Sequence, residues 1–474
     1  MSRGFKGLAL LGGAAVVATF CGGAAQAESL KEALLAADAN NPTLAAARAD
    51  ARSVQAQVAV ARGNFLPSFI FGADASRQVG ESAGTTIVGG SIPVNRDSTQ
   101  RNWNYGLSVS FAQSLWTSGR NTGLLGQAKA RAQAAFANLV GVEQQVALSV
   151  ITAFVNVQRD LQAVEISANN VEVLERRLEE SRQRFEVGDV TRTDVAQAEA
   201  SLAGARAQLS QVRARLDASR ADYREVVGTE AATLAPPPDL SNVIPPNLDS
   251  AIETALSLNP QIVAAEFNLR GAESAVKVAR SGLLPQIGLN GQIGRTLVDG
   301  ENVNRIGGNG AVLPTPAINP FDNLSRNSSI GGTLRVPLYD AGVARAQTRG
   351  AKASVLATDA RLEETRRDVR QRATAAWANY QAALAVIASS RQQVAASELA
   401  LEGIEQEQRV GLRTTLDVLI TQQDLLNARL NLVNAQRDAY VAANTLLATV
   451  GTLTARTLGV TDDAAAGAEA TAPA

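Results

Sequence analysis

The side chains that most often carry out chemistry are nearly absent from this chain of 474 residues. It contains no histidine and a single cysteine, Cys21. Most nucleophile–base pairs and most soft metal sites are therefore excluded, because they depend on these two residue types. A site made only of carboxylates stays possible, but the acidic residues form no local cluster. The sequence thus predicts a protein that is not an enzyme and has no cofactor or metal site.

The charged residues are balanced in number, with 44 basic and 45 acidic side chains and a formal net charge of −1. A nucleic-acid-binding protein normally presents a basic face to the phosphates. We therefore expect no nucleic-acid partner.

Residues 1–27 have the features of a secretory signal peptide. A basic start precedes an apolar run from Leu8 to Phe20, and Ala25-Gln26-Ala27 fits a small-x-small cleavage site. As a membrane anchor this run is shorter than the roughly 20 residues needed to span. A lipoprotein signal at Cys21 would need a Leu-rich segment where the chain has Ala18-Thr19-Phe20. No later segment has the pattern of a transmembrane helix, so membrane insertion would require a closed strand barrel.

The sequence after the signal is a duplication. Leu30 to Pro67 returns as Leu248 to Pro285, and Phe111 to Gly228 returns without a gap as Leu334 to Gly451. The matched pairs include Asn41-Pro42 with Asn259-Pro260, Leu66-Pro67 with Leu284-Pro285, Val187-Gly188 with Val410-Gly411, and Asp194-Val195 with Asp417-Val418. We expect a first repeat over 28–228, a Pro-rich linker over 229–247, a second repeat over 248–451, and a disordered tail over 452–474.

Each repeat is predicted to contain the same elements in the same order. A first helix stops before a Leu-Pro pair, which resists helix continuation. Two strands follow, at about 68–78 and 102–113 in the first repeat and at about 286–296 and 328–337 in the second. A long helical hairpin completes each repeat, over 119–228 and 342–451, and a glycine turn reverses each hairpin.

The long helices carry apolar residues at every seventh position. Val150, Val157, Val164, Val171 and Leu178 form one such series, and Val195, Leu202, Leu209 and Leu216 form another on the return helix. This period favours coiled-coil packing. About 67 residues in one helix would give a rod of roughly 100 Å. The helices alone suit a coiled-coil spacer and a helical tunnel equally well.

The strands show apolar and polar residues in alternation. Trp103, Tyr105, Leu107, Val109 and Phe111 alternate with polar or small residues, and the other three predicted strands show the same period. Their length suits membrane crossing, and Trp103 with Tyr105 suits an interfacial belt. These features favour a lipid-facing barrel over a soluble sandwich. The segments 79–101 and 297–327 are expected to be long polar loops on the outer face.

One chain supplies four such strands, which are too few to close a barrel. Several copies of the chain must therefore contribute strands to a single barrel. Eight strands from two copies leave an interior that side chains fill, so a conducting pore favours a homotrimer with twelve strands.

With these features, the chain resembles the TolC family of outer-membrane efflux proteins. The resemblance covers about Glu28 to Gly451 and rests on the duplicated order, the Asn-Pro and Leu-Pro pairs, and the two turns. The turns read Phe185-Glu186-Val187-Gly188, followed by Thr193-Asp194-Val195, and Arg409-Val410-Gly411-Leu412-Arg413-Thr414-Thr415-Leu416-Asp417-Val418-Leu419. The resemblance implies an α+β membrane protein: a trimeric 12-strand β-barrel on a 12-helix α-barrel, in the outer membrane of a Gram-negative bacterium, with the tunnel in the periplasm. It also implies docking to a periplasmic adaptor and to an inner-membrane pump or ABC transporter.

The resemblance also implies roles for residues at the tunnel mouth. Asp417 stands where the family has an aspartate that narrows the closed mouth, and Arg413, Thr193 and Asp194 match residues that tie neighbouring helices shut. A second narrowing aspartate is replaced here by Ile420, and a tyrosine latch by Gln408. The expected adaptor-docking residues are Val187, Gly188, Val410, Gly411 and Leu412.

The function that this resemblance implies is a passive exit duct for efflux or type I secretion, opened at its periplasmic end by an adaptor and pump. The alternative is a trimeric periplasmic coiled-coil spacer or adaptor without a pore. A spacer would be released from membranes by high salt, whereas a barrel would require detergent.

Overall fold

The computed structural model describes residues 28–88, 92–231, 233–308, 311–312 and 317–453. The expected signal peptide, residues 1–27, lies outside these residues, as does the expected tail from residue 454 onwards.

Apart from the short strand β4, the described elements repeat in the same order in the two halves of the chain. They are α1 Leu30–Asn40, α2 Pro42–Gly63, β1 Ser68–Val88, β2 Ile92–Trp116, α3 Arg120–Glu186, α4 Arg192–Val227, α5 Leu248–Leu258, α6 Pro260–Ser281, β3 Gln286–Gly308, β4 Ala311–Val312, β5 Ala317–Arg335, α7 Val343–Arg409 and α8 Thr415–Val450. The helices of each half have 11, 22, 67 and 36 residues in turn. At 67 residues, α3 and α7 are each about 100 Å long.

The Asn-Pro pair joins two helices where the sequence predicts only one. Asn41 ends α1 and caps α2, because its side chain accepts hydrogen bonds from the backbone N–H groups of Thr43 and Leu44. Proline is well tolerated at the first position of the second helix, where its missing N–H would have no partner anyway. The Asn41 amide also donates to the Val226 carbonyl at 3.0 Å, which ties the junction to the end of α4. Asn259 repeats this arrangement with the Thr449 carbonyl at 2.8 Å.

The heptad series of α3 and α4 form the seam of the first hairpin. On α3, Val150 and Val157 are fully buried and Val171 and Leu178 nearly so. Val150 and Val157 lie in a cluster with Leu216 of α4. In a separate cluster, Val171 and Leu178 face Leu202 and Leu209 of α4 with small residues between them, which allows the helices to approach closely. Leu419 of α8 packs into the same cluster, so the second hairpin lies beside the first.

One helix of the described residues is long and apolar enough, by composition, to cross a membrane. An 18-residue window of α3 has a mean hydropathy of 1.3, and 44% of that window is buried within the chain. The sequence predicts no such helix after the signal, and by length and composition this prediction is wrong for α3. The core helix of a bundle passes the same test, and α3 packs against α2, α4, α6 and α8.

The long strands form one antiparallel sheet in the order β1-β2-β3-β5, with the short β4 beside the end of β3. The register places the apolar members of the alternation on one face. One row across the sheet joins Phe71, Val109, Ile293 and Ser328, and the row two residues further out joins Ala73, Leu107, Arg295 and Arg326. The opposite face carries polar and small residues such as Ser108, Asn104 and Thr333.

The strands are about twice as long as the sequence predicts. The prediction of loops over 79–101 and 297–327 is therefore wrong for the described residues of these segments. β1 and β2 pair continuously from Ser68 opposite Ala112 to Val88 opposite Ile92. The apolar alternation fades beyond Trp103 although the pairing continues. A strand with water on both faces gains nothing from an apolar side, so its backbone ladder leaves no such pattern in the sequence.

The linker and the start of the tail both pack against the helices. Glu28 forms a parallel bridge with Leu234, and Leu240 is buried at 6% exposure. Leu453 is 2% exposed and lies in the same core cluster as Phe154. The expectation that disorder begins at residue 452 is therefore wrong by at least two residues.

Gly451 ends α8 at a point where no other residue fits. Its φ is +87°, and a Cβ there would lie 2.7 Å from the Leu258 carbonyl oxygen. We expect Gly451→Ala to destabilise the protein by about 1–3 kcal/mol. The matched control is Gly403→Ala on α7, where a Cβ meets nothing within 4 Å. The control should instead stabilise by up to about 1 kcal/mol. Thermal denaturation in detergent measures the change in stability of both variants. Equal shifts of the unfolding temperature would contradict the requirement for glycine at position 451.

Candidate functional site at the hairpin tips

The two hairpins reverse direction in turns of the same geometry. Gly188 and Gly411 have φ values of +78° and +79°, which glycine adopts without a steric penalty. In each turn the backbone N–H of the glycine closes the end of the long helix. The Gly188 N–H donates to the Phe185 carbonyl at 3.0 Å, and the Gly411 N–H donates to the Gln408 carbonyl at 3.0 Å. The two docking turns of the sequence analysis are therefore built alike.

A capping box begins the return helix after each turn. Thr414 donates its hydroxyl and its backbone N–H to the Asp417 carboxylate at 2.8 and 2.9 Å, and its hydroxyl oxygen accepts from the Asp417 N–H at 3.3 Å. Thr191 and Asp194 form the same box at the start of α4. These bonds satisfy N–H groups that a helix start leaves without partners. Both acids therefore have a structural role within a single chain.

The capping bonds also keep Asp417 ionised. The Thr414 backbone N–H, then its hydroxyl, and to a lesser extent the charge of Arg413 hold the pKa of the Asp417 carboxyl below its ordinary value. The carboxylate is half-buried near the start of α8. It is therefore a fixed negative charge with a defined position at neutral pH.

The structure pairs Arg413 with Glu407 across the turn. The Arg413 Nε donates to the Glu407 carboxylate at 2.8 Å, and this bond raises the pKa of the guanidinium. Within one chain Arg413 does not contact Asp194, which bonds to Thr191 instead. The first turn has an ion pair of reversed polarity, in which Arg184, at the position matching Glu407, pairs with Asp189 at 2.6 Å.

The remaining predicted mouth residues lie around these turns with different degrees of exposure. Gln408 is half-buried, and its amide donates to the Thr415 hydroxyl at 3.4 Å. Ile420 is 52% exposed, one helical turn beyond Asp417, while Val418 and Leu419 between them are buried. Thr193 is exposed on the first turn of α4.

Apolar side chains project from both turns into solvent. Val187 is 80% exposed, Val410 71% and Leu412 76%, and Phe185 beside them is 46% exposed. Large apolar residues gathered at one exposed end are a common feature of protein–protein contact sites. The tips therefore present exposed apolar surface in addition to charged groups.

Sequence reasoning missed several contacts that hold the tips together. The spacing Thr-x-x-Asp at Thr191 and Thr414 is a capping-box signal that would have identified both caps. No sequence signal links Arg177 of α3 with Glu405 of α7, which form an ion pair between the hairpins. Among the described residues no group of three or more histidine, cysteine and acidic side chains is arranged to hold a metal ion.

Comparison with known proteins agrees with this architecture. The chain matches the family described as "Outer membrane efflux protein" over residues 34–229 and 251–452. It is 30% identical over 439 residues to the outer membrane efflux protein BepC of Brucella suis, covering 93% of this chain and 89% of that protein. It is 25% identical to the outer membrane protein TolC of Escherichia coli, covering 90% and 83%.

Solved structures share the fold at lower identity. The outer-membrane channel OprN is 23% identical with a TM-score of 0.68, covering 89% of this chain and 90% of that one. The outer membrane protein VceC of Vibrio cholerae is 22% identical with a TM-score of 0.67, covering 89% and 96%. The resemblance found from the duplicated motifs is thus confirmed, and the chain belongs to the outer membrane efflux protein family, whose members are export channels of the outer membrane.

Proposed function

We propose that three copies of this chain form a passive duct that carries cargo out through the outer membrane, without catalysing a reaction, when an adaptor and an inner-membrane pump engage its periplasmic tips. The family supplies the outer-membrane location and the export role.

The open edges of the sheet support the shared barrel most directly. Among the described residues β1 pairs only with β2 and β5 pairs only with β3, so each leaves a row of backbone groups without partners there. The face that carries Phe69, Phe71 and Ile330 is apolar, and these side chains are 70%, 70% and 79% exposed. Backbone groups without partners cannot remain in hydrocarbon. Strands of neighbouring copies would satisfy both edges, and three copies would give twelve long strands.

The duplication supplies a second argument for sharing. Within one chain α3 of the first hairpin packs against α8 of the second. The equivalent contact, α7 against α4, has no comparable counterpart among the described residues. The exposed side of α7 carries Leu356 and Leu399, which are 72% and 70% exposed. A neighbouring copy that placed its α4 against α7 would cover these residues and complete a ring of alternating hairpins.

This assembly predicts a trimer in detergent. We expect a single species with three times the mass of the mature chain after subtraction of the detergent, measured by light scattering on the purified protein. Extraction from membranes should require detergent and not high salt, because the apolar face is embedded. A monodisperse monomer, or release by salt, would contradict the shared barrel.

The exposed apolar tips are the proposed adaptor-docking surface. Val187, Val410 and Leu412 are exposed, so they make little contribution to the fold of one chain. Bulky residues at Gly188 or Gly411 would strain the turn itself, because both glycines have positive φ. Polar substitutions of the apolar side chains therefore test docking more directly than changes at the glycines.

We expect Val187→Ser, Val410→Ser and Leu412→Ser together to weaken adaptor binding by on the order of tenfold or more, since apolar anchors dominate such contacts. Export should fall while trimers stay in the membrane. The matched control is Val60→Ser on α2, which is 64% exposed and far from the tips. Export at the wild-type level with all three tip changes would remove these turns from the docking site.

The capped Asp417 carboxylates are the proposed gate. In a threefold arrangement they would surround the tunnel axis, with Ile420 one turn further along α8. Like charges at a narrow mouth create a negative field that favours cations. Arg413 pairs with Glu407 and Asp194 with Thr191, and the two do not contact each other within one chain. A latch between them would therefore join neighbouring copies.

We expect Asp417→Asn to lower the cation-to-anion permeability ratio in planar bilayers by about half or more. Asparagine keeps an oxygen that accepts from Thr414, so the helix cap is retained and the charge alone is tested. Asp249→Asn on α5 is the control and should leave the ratio unchanged. An unchanged ratio in Asp417→Asn would show that this carboxylate does not line the pore.

Arg413→Ala with Asp194→Asn should raise conductance by loosening the closed mouth. Asparagine keeps an oxygen that accepts from Thr191, so the cap of α4 is retained. Unchanged conductance in planar bilayers would contradict a latch between these two residues.

A further inference from the structure

Two arginines lie directly opposite each other on the apolar face of the sheet. Arg295 of β3 pairs in register with Arg326 of β5, and Leu107 of β2 lies on the other side of Arg295. Both arginines are exposed. The neighbouring rows of this face are mainly apolar, with Val109 and Ile293 on the side of the helices and Tyr105, Leu297 and Leu324 on the far side. Two cations are thus set into the surface that faces lipid.

This placement is unfavourable without a partner of opposite charge. Directly opposed residues have Cβ atoms about 4.5–5.5 Å apart, and like charges in this position destabilise the strand pair. Arginine on the lipid face of a barrel also opposes insertion, to a degree that falls towards the membrane interface. An anion held between the two guanidinium groups would remove both penalties.

No protein group among the described residues fills that role. Arg101 on the same face pairs with Glu301 at 3.3 Å, and Arg77 lies over the Trp103 ring at 5.8 Å. Arg295 and Arg326, in contrast, make no side-chain hydrogen bond, ion pair or ring contact with any described residue.

The nearest acids on this face are Asp299 and Asp322, which also oppose each other. They lie four residues further along the same strands, which is about 13 Å. Among the described residues no ion pair joins either acid to either arginine. The acids therefore neither neutralise the arginine pair nor exclude an anion from it.

The height of the pair within the membrane points to a headgroup. Ile287 begins the apolar rows of β3, and Arg295 follows eight residues later. Eight residues of a strand tilted by about 40° rise roughly 20 Å, within an apolar band of about 25 Å. The pair thus lies towards the end of the band far from the helices, which is the outer leaflet. Long arginine side chains reach the interface from such positions.

We propose that Arg295 and Arg326 bind the phosphate group of a phosphorylated lipid in the outer leaflet. Guanidinium groups match phosphate oxygens in a bidentate geometry, and the charged hydrogen bonds are strong where water is scarce. The acyl chains of the same lipid would lie along Leu107, Val109 and Ile293. This inference rests on the proposed insertion of the sheet as a barrel.

The test is lipid retention by the intact trimer. Full-length protein is reconstituted in phosphatidylcholine nanodiscs containing a minor fraction of diphosphoryl lipid A, and the lipid A retained per trimer is counted by native mass spectrometry. We expect Arg295→Gln with Arg326→Gln to retain roughly fivefold less lipid A than the wild type. Arg295→Lys with Arg326→Lys keeps the charge and should retain an intermediate amount. Since removing charge from a lipid face favours insertion, the glutamine variant should assemble.

The matched control removes two arginines from the same strands. This control is Arg305→Gln with Arg335→Gln. Arg305 lies beyond the apolar band, and Arg335 lies on the polar face opposite Gln286. This pair should retain lipid A as the wild type does. The proposal would be overturned if Arg295→Gln with Arg326→Gln retained as much lipid A as the control variant. It would also be overturned if the wild type retained as much dephosphorylated lipid A as diphosphoryl lipid A. Displacement by excess inorganic phosphate would assign the site to a free anion instead of a lipid. The same spectra report the trimer mass, so a failed lipid site is distinguished from a failed barrel.

Discussion

Hydrogen bonding of the backbone at the sheet edges is the constraint on which the rest of the structure depends. A sheet with an apolar face can enter a bilayer only when no edge is left open, because each backbone group without a partner costs several kcal/mol in hydrocarbon. β1 and β5 are open edges in one chain. In the proposed trimer, closing these edges would also set the symmetry of the helices, since the strands continue into the helices through short connections. The copies that complete the sheet would then bring their helical hairpins side by side.

The duplication places one local design in two environments. Both hairpins use the same glycine turn, the same capping box and the same Asn-Pro junction. Their burial nevertheless differs. Val171 and Leu178 of α3 are 8% and 7% exposed because α8 covers that hairpin, whereas Val394 and Leu401, at the equivalent positions of α7, are only half-buried. Equal sequence patterns with unequal burial are expected if another copy of the chain buries the second hairpin.

Sequence reasoning was accurate where a long period governed the structure. The long helices begin and end within a residue or two of the predicted bounds, because the heptad series runs almost without interruption and glycine ends it. Short elements were missed. α1 and α5 have only 11 residues each, too few for a period to stand out. Strand ends were missed because a strand in water shows no apolar alternation. The Arg177–Glu405 pair was beyond reach, since nothing in a sequence reports the side-by-side placement of two hairpins.

The tips show how a local folding requirement places a charge at a defined position. A helix start needs acceptors for its free N–H groups, and Asp194 and Asp417 meet this need in the same way. The cap orients each carboxylate before any partner is present. What distinguishes the two tips is their surroundings: Ile420 follows Asp417 on α8, whereas the equivalent position on α4 is the polar Gln197. In a ring of alternating hairpins, the α8 tips would present an acid next to an apolar residue and the α4 tips an acid next to an amide. The mouth would then have threefold symmetry in its chemistry although its backbone approaches sixfold.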